Sequence, residues 1–272
     1  MHWLQHLLGR GDLPEHEEGA VIPFAPDGTD VPQGLAFDGE GGEFVYTFYD
    51  NADQHVGAVV FADAEGNPSA RVPLAGLHHY GGITLMGELT YVCGARKVQV
   101  HDTTLLRQEI NDPLMTVPVL ASSTVTSHAG SLYLTAFRKD GPGRMYRYDL
   151  ETDGRPVATG EEATVPPQTQ GVAFADDDTV FFSRSYGRSR PSTLTRVAAD
   201  DYRRDGGWTP QNGRDTPLPP MAEGSVIVDG RLHQLYESGA HPYLRHAKAH
   251  LLSTLLLGPV RPRDRLTVHD LD

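Results

Sequence analysis

This sequence has a single cysteine and no long apolar stretch. The only cysteine, Cys93, has no partner within the chain, so no internal disulfide can stabilise the fold. The most apolar stretch, residues 251–257, is far below the roughly 20 residues that a membrane-spanning helix needs. Residues 3–8 are too short and too interrupted to be the apolar core of a signal peptide. We therefore expect a cytoplasmic protein without a membrane partner.

Basic charge is also scarce. The 272 residues include 23 Lys and Arg against 36 Asp and Glu, which gives a formal net charge of −13. This balance disfavours nucleic acid and anionic bilayers as partners, because both repel an acidic surface. A small molecule is the partner that the composition leaves open.

Cofactor and nucleophile motifs are missing as well. The chain has no G-x-x-x-x-G-K-[ST] phosphate loop, no G-x-G-x-x-G dinucleotide motif and no C-x-x-C pair. A G-x-S-x-G nucleophile elbow is absent too, so a hydrolase triad has no support. We expect neither a bound metal nor an organic cofactor.

Turn residues and an internal repeat are what the sequence does contain. It has 29 Gly and 20 Pro, and a pair of short strands joined by a tight polar turn recurs along it. The repeats are spaced by 48, 41, 48 and 53 residues, near the length of one propeller blade. A less regular period is typical of a β-sandwich, the alternative fold. The equivalent positions are Gly34, Gly82, Ser123, Gly171 and Gly224.

The spacing predicts an all-β, single-domain β-propeller over residues 1–272, with five blades. Six blades stay an alternative, because residues before 20 and an insertion in the last blade can conceal a further unit. Residues 1–19 are assigned to an N-terminal extension. Residues 20–24 are predicted to close the ring by pairing with 265–271, since open sheet edges are a liability. Residues 241–262 are predicted to form a short helical insertion in the last blade.

One face of such a propeller gathers most of the chemically varied side chains. The start of each inner strand lies on the same face as the loop between the second and third strands of the blade. Convergent polar groups beside an axial cavity make this face the candidate small-molecule site. The alternative is that these groups bond one another and trapped water. The candidate binding residues are Gln33, Tyr49, Asp50, Tyr80, Ser123, Arg138, Gln170, Arg184 and Tyr186.

Three residues on this face are candidates for catalysis. Glu223 precedes a glycine at an inner-strand start, where partial burial can raise a carboxyl pKa enough for acid or base work. Glu237 is a second carboxylate on the same face, and two carboxylates in different environments can divide acid and base roles. His79 is the histidine best placed to join them.

Several segments resemble those of poorly characterised bacterial five-bladed propeller proteins. They are Pro32-Gln33-Gly34, Gly81-Gly82-Ile83, residues 183–187 and residues 237–240. Glu223-Gly224 is more distantly similar to the Glu-Gly segment of the regucalcin and gluconolactonase propellers, where the glutamate binds a divalent cation. The companion Asn and Asp ligands of that family have no counterpart here. Strictosidine synthase is similar only in placing an acid–base glutamate near the axis.

These observations predict a cofactor-independent enzyme of small-molecule metabolism, including specialised biosynthesis. It would act as a lyase, cyclase or hydrolase, by acid–base catalysis of a cyclisation, elimination or hydrolysis. The alternative is a non-catalytic propeller that binds a small ligand or a protein partner.

Overall fold

The computed structural model describes residues 16–24, 28–188, 190–244 and 263–271. Within these ranges 20 strands form five four-stranded antiparallel sheets, which confirms an all-β propeller with five blades. In chain order the strands are β1 (Glu17–Val21), β2 (Asp30–Asp38), β3 (Glu43–Asp50), β4 (Gly57–Ala62), β5 (Pro68–Leu74), β6 (Gly82–Met86), β7 (Leu89–Gly94), β8 (Lys97–Asp102), β9 (Met115–Pro118), β10 (Thr124–His128), β11 (Ser131–Ala136), β12 (Gly143–Leu150), β13 (Pro156–Val165), β14 (Thr169–Phe174), β15 (Val180–Arg184), β16 (Ser192–Val197), β17 (Arg214–Leu218), β18 (Ala222–Val228), β19 (Arg231–Tyr236) and β20 (Arg265–Asp270).

Each blade follows the chain from the axis outwards. Blades 1 to 4 are β2 to β5, β6 to β9, β10 to β13 and β14 to β17, and blade 5 has the order β18-β19-β20-β1. The inner strands β2, β6, β10, β14 and β18 contact one another around a closed ring. Short helices, α1 (Thr103–Arg107) and α2 (Ala199–Asp205), follow the third strands of blades 2 and 4.

The two ends of the described chain close the ring. β1 runs antiparallel to β20, with Glu17 opposite Val268 and Val21 opposite Arg265. The predicted closure is confirmed, but the strand begins three residues earlier than expected and ends at Val21 instead of residue 24. Pro23 has no N–H to donate and explains the early end.

The predicted helical insertion is seen only at its start. Residues 241–244 are helical, and residues 245–262 lie outside the described ranges. No helix in the described part of the chain is long and apolar enough to cross a membrane.

Glycine allows the inner strands to approach closely around the axis. A Cβ atom on Gly224 would lie 2.7 Å from the backbone nitrogen of Leu35 and 2.9 Å from the carbonyl oxygen of Gln33, in the next blade. A Cβ on Gly34 would lie 2.7 Å from the nitrogen of Ile83. Such distances leave no room for any side chain. The repeated glycines of the sequence are therefore the contacts between neighbouring inner strands.

Candidate functional site

A cavity of about 320 Å³ opens at the face where the inner strands begin. The cavity is open to solvent, and its volume can hold a small organic molecule. Its walls come from inner-strand starts and from the turns β7–β8 and β11–β12. The lining residues are Gln33, His78, His79, Ala95, Ser122, Ser123, Phe137 and Gln170.

β-Bulges direct polar side chains towards this cavity. The ladder between the first two strands of a blade shifts register at Gln33-Gly34 in blade 1, at Gln170 in blade 4 and at Glu223-Gly224 in blade 5. A bulge places an extra residue on one strand and changes the direction of its side chain. The bulge of blade 5 is held by Gln234, whose Nε2 donates to the carbonyl oxygens of Glu223 and Gly224 at 2.9 and 3.1 Å.

Glu237 follows β19 and is held by a glutamine of another blade. Gln33 donates from Nε2 to Oε1 of Glu237. Burial raises the pKa of Glu237 to about 7, although the Gln33 hydrogen bond and the charge of Arg188 act to lower it. The residue as a whole is partly exposed, less buried than Glu223.

Glu223 lies deeper and is only 4% exposed. Gln170 donates from Nε2 to its Oε1 at 3.2 Å. Burial, and then the negative charge of Glu237, raise the pKa of Glu223 well above the ordinary value. Neither carboxylate forms an ion pair with a lysine or arginine of the described ranges. The charge of Glu237 therefore affects the titration of Glu223.

An aromatic cluster borders Glu237. The hydroxyls of Tyr49 and Tyr243 are 2.8 Å apart, and His79 stacks on Tyr49 with ring centroids 4.6 Å apart. Burial and the nearby Glu237 raise the pKa of both tyrosines, to about 12 for Tyr243. Burial lowers the pKa of His79, and so does His78. All three rings are therefore uncharged near neutral pH. The Arg188 guanidinium lies 4.5 Å from the Tyr243 ring centroid.

The predicted residues divide into those at the cavity and those engaged elsewhere. Gln33, His79, Ser123 and Gln170 line the cavity, and Ser123 accepts a hydrogen bond from the Phe137 nitrogen at 2.9 Å. Glu223 and Glu237 are bonded to the two lining glutamines, and Tyr49 stacks on His79.

The remaining predicted residues do not line the cavity. Tyr80 is buried, and its hydroxyl donates to the carbonyl of the exposed residue His55 at 2.8 Å. Asp50 accepts from the Ala52 nitrogen at 2.7 Å and stabilises its own loop. Arg184 forms an ion pair with Asp215. Arg138 is exposed to solvent. Tyr186 is 41% exposed, and the Lys139 ammonium lies 4.9 Å from its ring centroid.

Sequence reasoning missed Phe137, Arg188 and Tyr243. Arg188 follows Tyr186 in a loop already assigned to this face, so its charge was a usable signal. Tyr243 belongs to the segment that was predicted to form a helical insertion in the last blade. Nothing in the local sequence indicates that it contacts Tyr49 of blade 1.

Comparisons with known proteins give remote structural likeness. No protein-family model matches the chain, and no curated protein matches it significantly. Among solved structures, the aldose sugar dehydrogenase of Streptomyces coelicolor in its PQQ-bound form is 15% identical, with a TM-score of 0.47, over 82% of this chain and 78% of that one. A nidogen/laminin complex is 12% identical, with a TM-score of 0.46, over 81% and 85%. A gluconolactonase of Xanthomonas campestris is 11% identical, with a TM-score of 0.41, over 84% and 96%. At these values, no activity is carried over to this chain.

Proposed function

We propose that this propeller is an enzyme that acts on a small organic molecule in its axial cavity, with Glu223 and Glu237 as the acid–base pair. One observation carries the proposal. Two carboxyl groups with raised pKa values share a buried site without a paired cation, and each is bonded to a glutamine that lines the cavity. Buried carboxyl pairs of this kind are typical of acid–base catalysis.

In this proposal the two carboxyl groups have different catalytic roles, which follow from how deeply each residue is buried. Glu237 is partly exposed and titrates near neutral pH, so it can accept a proton from a substrate. Glu223 is more deeply buried, and burial together with the charge of Glu237 raises its pKa, so we assign it the role of proton donor. A cyclisation, an elimination or a hydrolysis each needs one proton removed and one delivered. The reaction requires no metal or organic cofactor in this proposal.

Side-chain carboxyl titration by ¹³C NMR tests the pair directly. We expect one carboxyl to titrate near pH 7 in the wild type and to be absent from Glu237→Gln. The same substitution should lower the pKa of Glu223, because the neighbouring charge is removed. Glu223→Gln should leave Glu237 titrating near 7, because that pKa is raised by burial. Glu65→Gln, at an exposed loop position, is the control. If every carboxyl titrates below about 5, within the ordinary range, the proposal is wrong.

Turnover of an identified substrate tests catalysis itself. Either Glu→Gln change keeps the volume of the side chain and removes its titrating group. Loss of a general acid or base costs on the order of 10²-fold or more in turnover. A loss within about threefold, with the fold retained, is far below that range and would favour the non-catalytic alternative.

A further inference from the structure

Gln33 offers the cavity a hydrogen-bond acceptor and no donor. Its Nε2 gives one hydrogen to the Pro32 carbonyl at 2.8 Å and the other to Oε1 of Glu237. A backbone carbonyl can only accept, so the amide cannot be turned around, whichever protonation state Glu237 has. Gln33 is only 2% exposed, and its Oε1 has no hydrogen-bond partner in the described parts of the chain. Because Oε1 is open to the cavity, a ligand there can meet it with a hydrogen-bond donor in place of water.

Ser122, Ser123 and His79 add no positive charge to the cavity wall. Ser122 and Ser123 accept hydrogen bonds from the backbone nitrogens of Arg96 and Phe137, at 2.7 and 2.9 Å. His79 is uncharged near neutral pH because it is buried. Behind the wall, Glu237 has no ion-pair partner among the residues that the structure describes. Arg188 forms no ion pair with Glu237; its guanidinium lies 4.5 Å from the Tyr243 ring centroid, and from there its charge lowers the Glu237 pKa.

We propose that the axial cavity binds a small molecule bearing a protonated amine, which donates to Oε1 of Gln33 and places its positive charge near Glu237, the hydrogen-bond partner of Gln33. An ammonium group has three donors and no acceptor, which matches the free acceptor of Gln33, and its positive charge complements Glu237, which forms no ion pair in the described ranges. A neutral alcohol supplies one donor and no charge. A carboxylate ligand would face acceptors and like charge. This proposal rests on the proposed function for the location of its site and names the substrate class.

A metal ion fits the same residues less well. Calcium takes six to eight oxygen ligands, whereas both carboxylates here already accept an amide N–H. In the ranges that the structure describes, no group of three or more His, Cys, Asp or Glu side chains is arranged to hold an ion. An organic cation needs only a hydrogen-bond acceptor, such as Oε1 of Gln33, and apolar contact, such as Phe137, in the cavity lining.

Three probes of similar size and different charge test the inference, namely benzylamine, benzyl alcohol and benzoate. Their binding to the full chain is measured by calorimetry near neutral pH, in the presence of EDTA. We expect benzylamine to bind at least about tenfold more tightly than benzyl alcohol, or about 1.4 kcal/mol, and benzoate to bind more weakly than either. Calorimetry in two buffers of different ionisation enthalpy should show that benzylamine releases protons, because the ammonium favours the ionised form of Glu237.

Variants separate this proposal from the proposed function. Gln33→Leu and Glu237→Gln should each remove the preference for benzylamine over benzyl alcohol, and Glu65→Gln should keep it. If Gln33→Leu fails to fold by circular dichroism, Glu237→Gln decides alone. Equal or tighter binding of benzyl alcohol or benzoate, no binding of benzylamine, or its displacement by calcium would each overturn the amine assignment. If Glu237 still titrates near 7 in NMR, the acid–base proposal survives that failure.

Discussion

Replacing Gly224 by alanine should destabilise the propeller at the junction of blades 5 and 1. The new Cβ would lie 2.7 Å from the Leu35 nitrogen, 2.9 Å from the Gln33 oxygen and 3.1 Å from the Gly34 carbonyl carbon. All three are backbone atoms of an inner strand, so relief requires the two strands to separate and no side chain can simply rotate away. Overpacking of this kind costs about 1–3 kcal/mol, and we expect the upper part of that range because the neighbours are backbone.

Thermal unfolding measures the effect. With about 2–4 °C lost per kcal/mol for a domain of this size, Gly224→Ala should lower Tm by about 5–10 °C. Gly39→Ala is the matched control, because no atom lies within 4 Å of its Cβ position, and it should leave Tm unchanged or slightly raised. The displaced Gln33 carbonyl belongs to the residue that holds Glu237, so the variant should also weaken benzylamine binding. Equal Tm values for the two alanine variants would refute the idea that the inner strands leave no room.

Three further predictions concern pH, ring closure and metal. Burial lowers the pKa of His101 to about 4 and leaves both ring nitrogens unbonded, so the unfolded chain binds the proton more readily and stability falls as pH drops from 6.5 towards 4. The loss reaches about 3 kcal/mol at most, and His101→Leu should remove that slope from urea unfolding curves, whereas an unchanged slope contradicts it. Deleting residues 1–22 should lower Tm by about 10 °C, because β1 and the buried Ile22 are lost, and an unaltered melt would argue against closure by β1. EDTA should change neither Tm nor benzylamine binding, and stoichiometric calcium or zinc near Glu223 in elemental analysis would contradict a metal-free site.

The fold was predictable because the same close contact between inner strands recurs in nearly every blade. Gly34, Gly82, Gly171 and Gly224 recur at blade spacing since inner strands approach too closely there for a side chain. A local chemical requirement that repeats along the chain leaves a period in the sequence. The end of β1 was less predictable, because the last pairing depends on contacts with β20, nearly the whole chain away.

The candidate site was predictable as a face and only partly as a set of residues. His79 and Tyr80 are adjacent and both have positive φ angles, of 67° and 45°, yet one ring stacks beside the cavity and the other enters the core. Periodicity cannot tell which ring turns inward in such a segment. Arg184 has the right position for a ligand but is bonded to Asp215 of a different strand. Partners of this kind are set by tertiary packing, which a local reading of the sequence does not contain.

Closure through β1 and β20 has a consequence for synthesis of the protein. Blades 1 to 4 each consist of strands that are consecutive in the chain, so they can pair as they leave the ribosome. β1 is made first, yet its partner β20 is made last, and closing so long a loop carries the largest entropic cost of any pairing in the fold. Until then the nascent chain carries an unpaired strand at one end and an open blade at the other, both able to associate with other chains. The native ring therefore forms only after translation has passed Asp270, and nascent chains stalled before β20 should be the species most prone to aggregation.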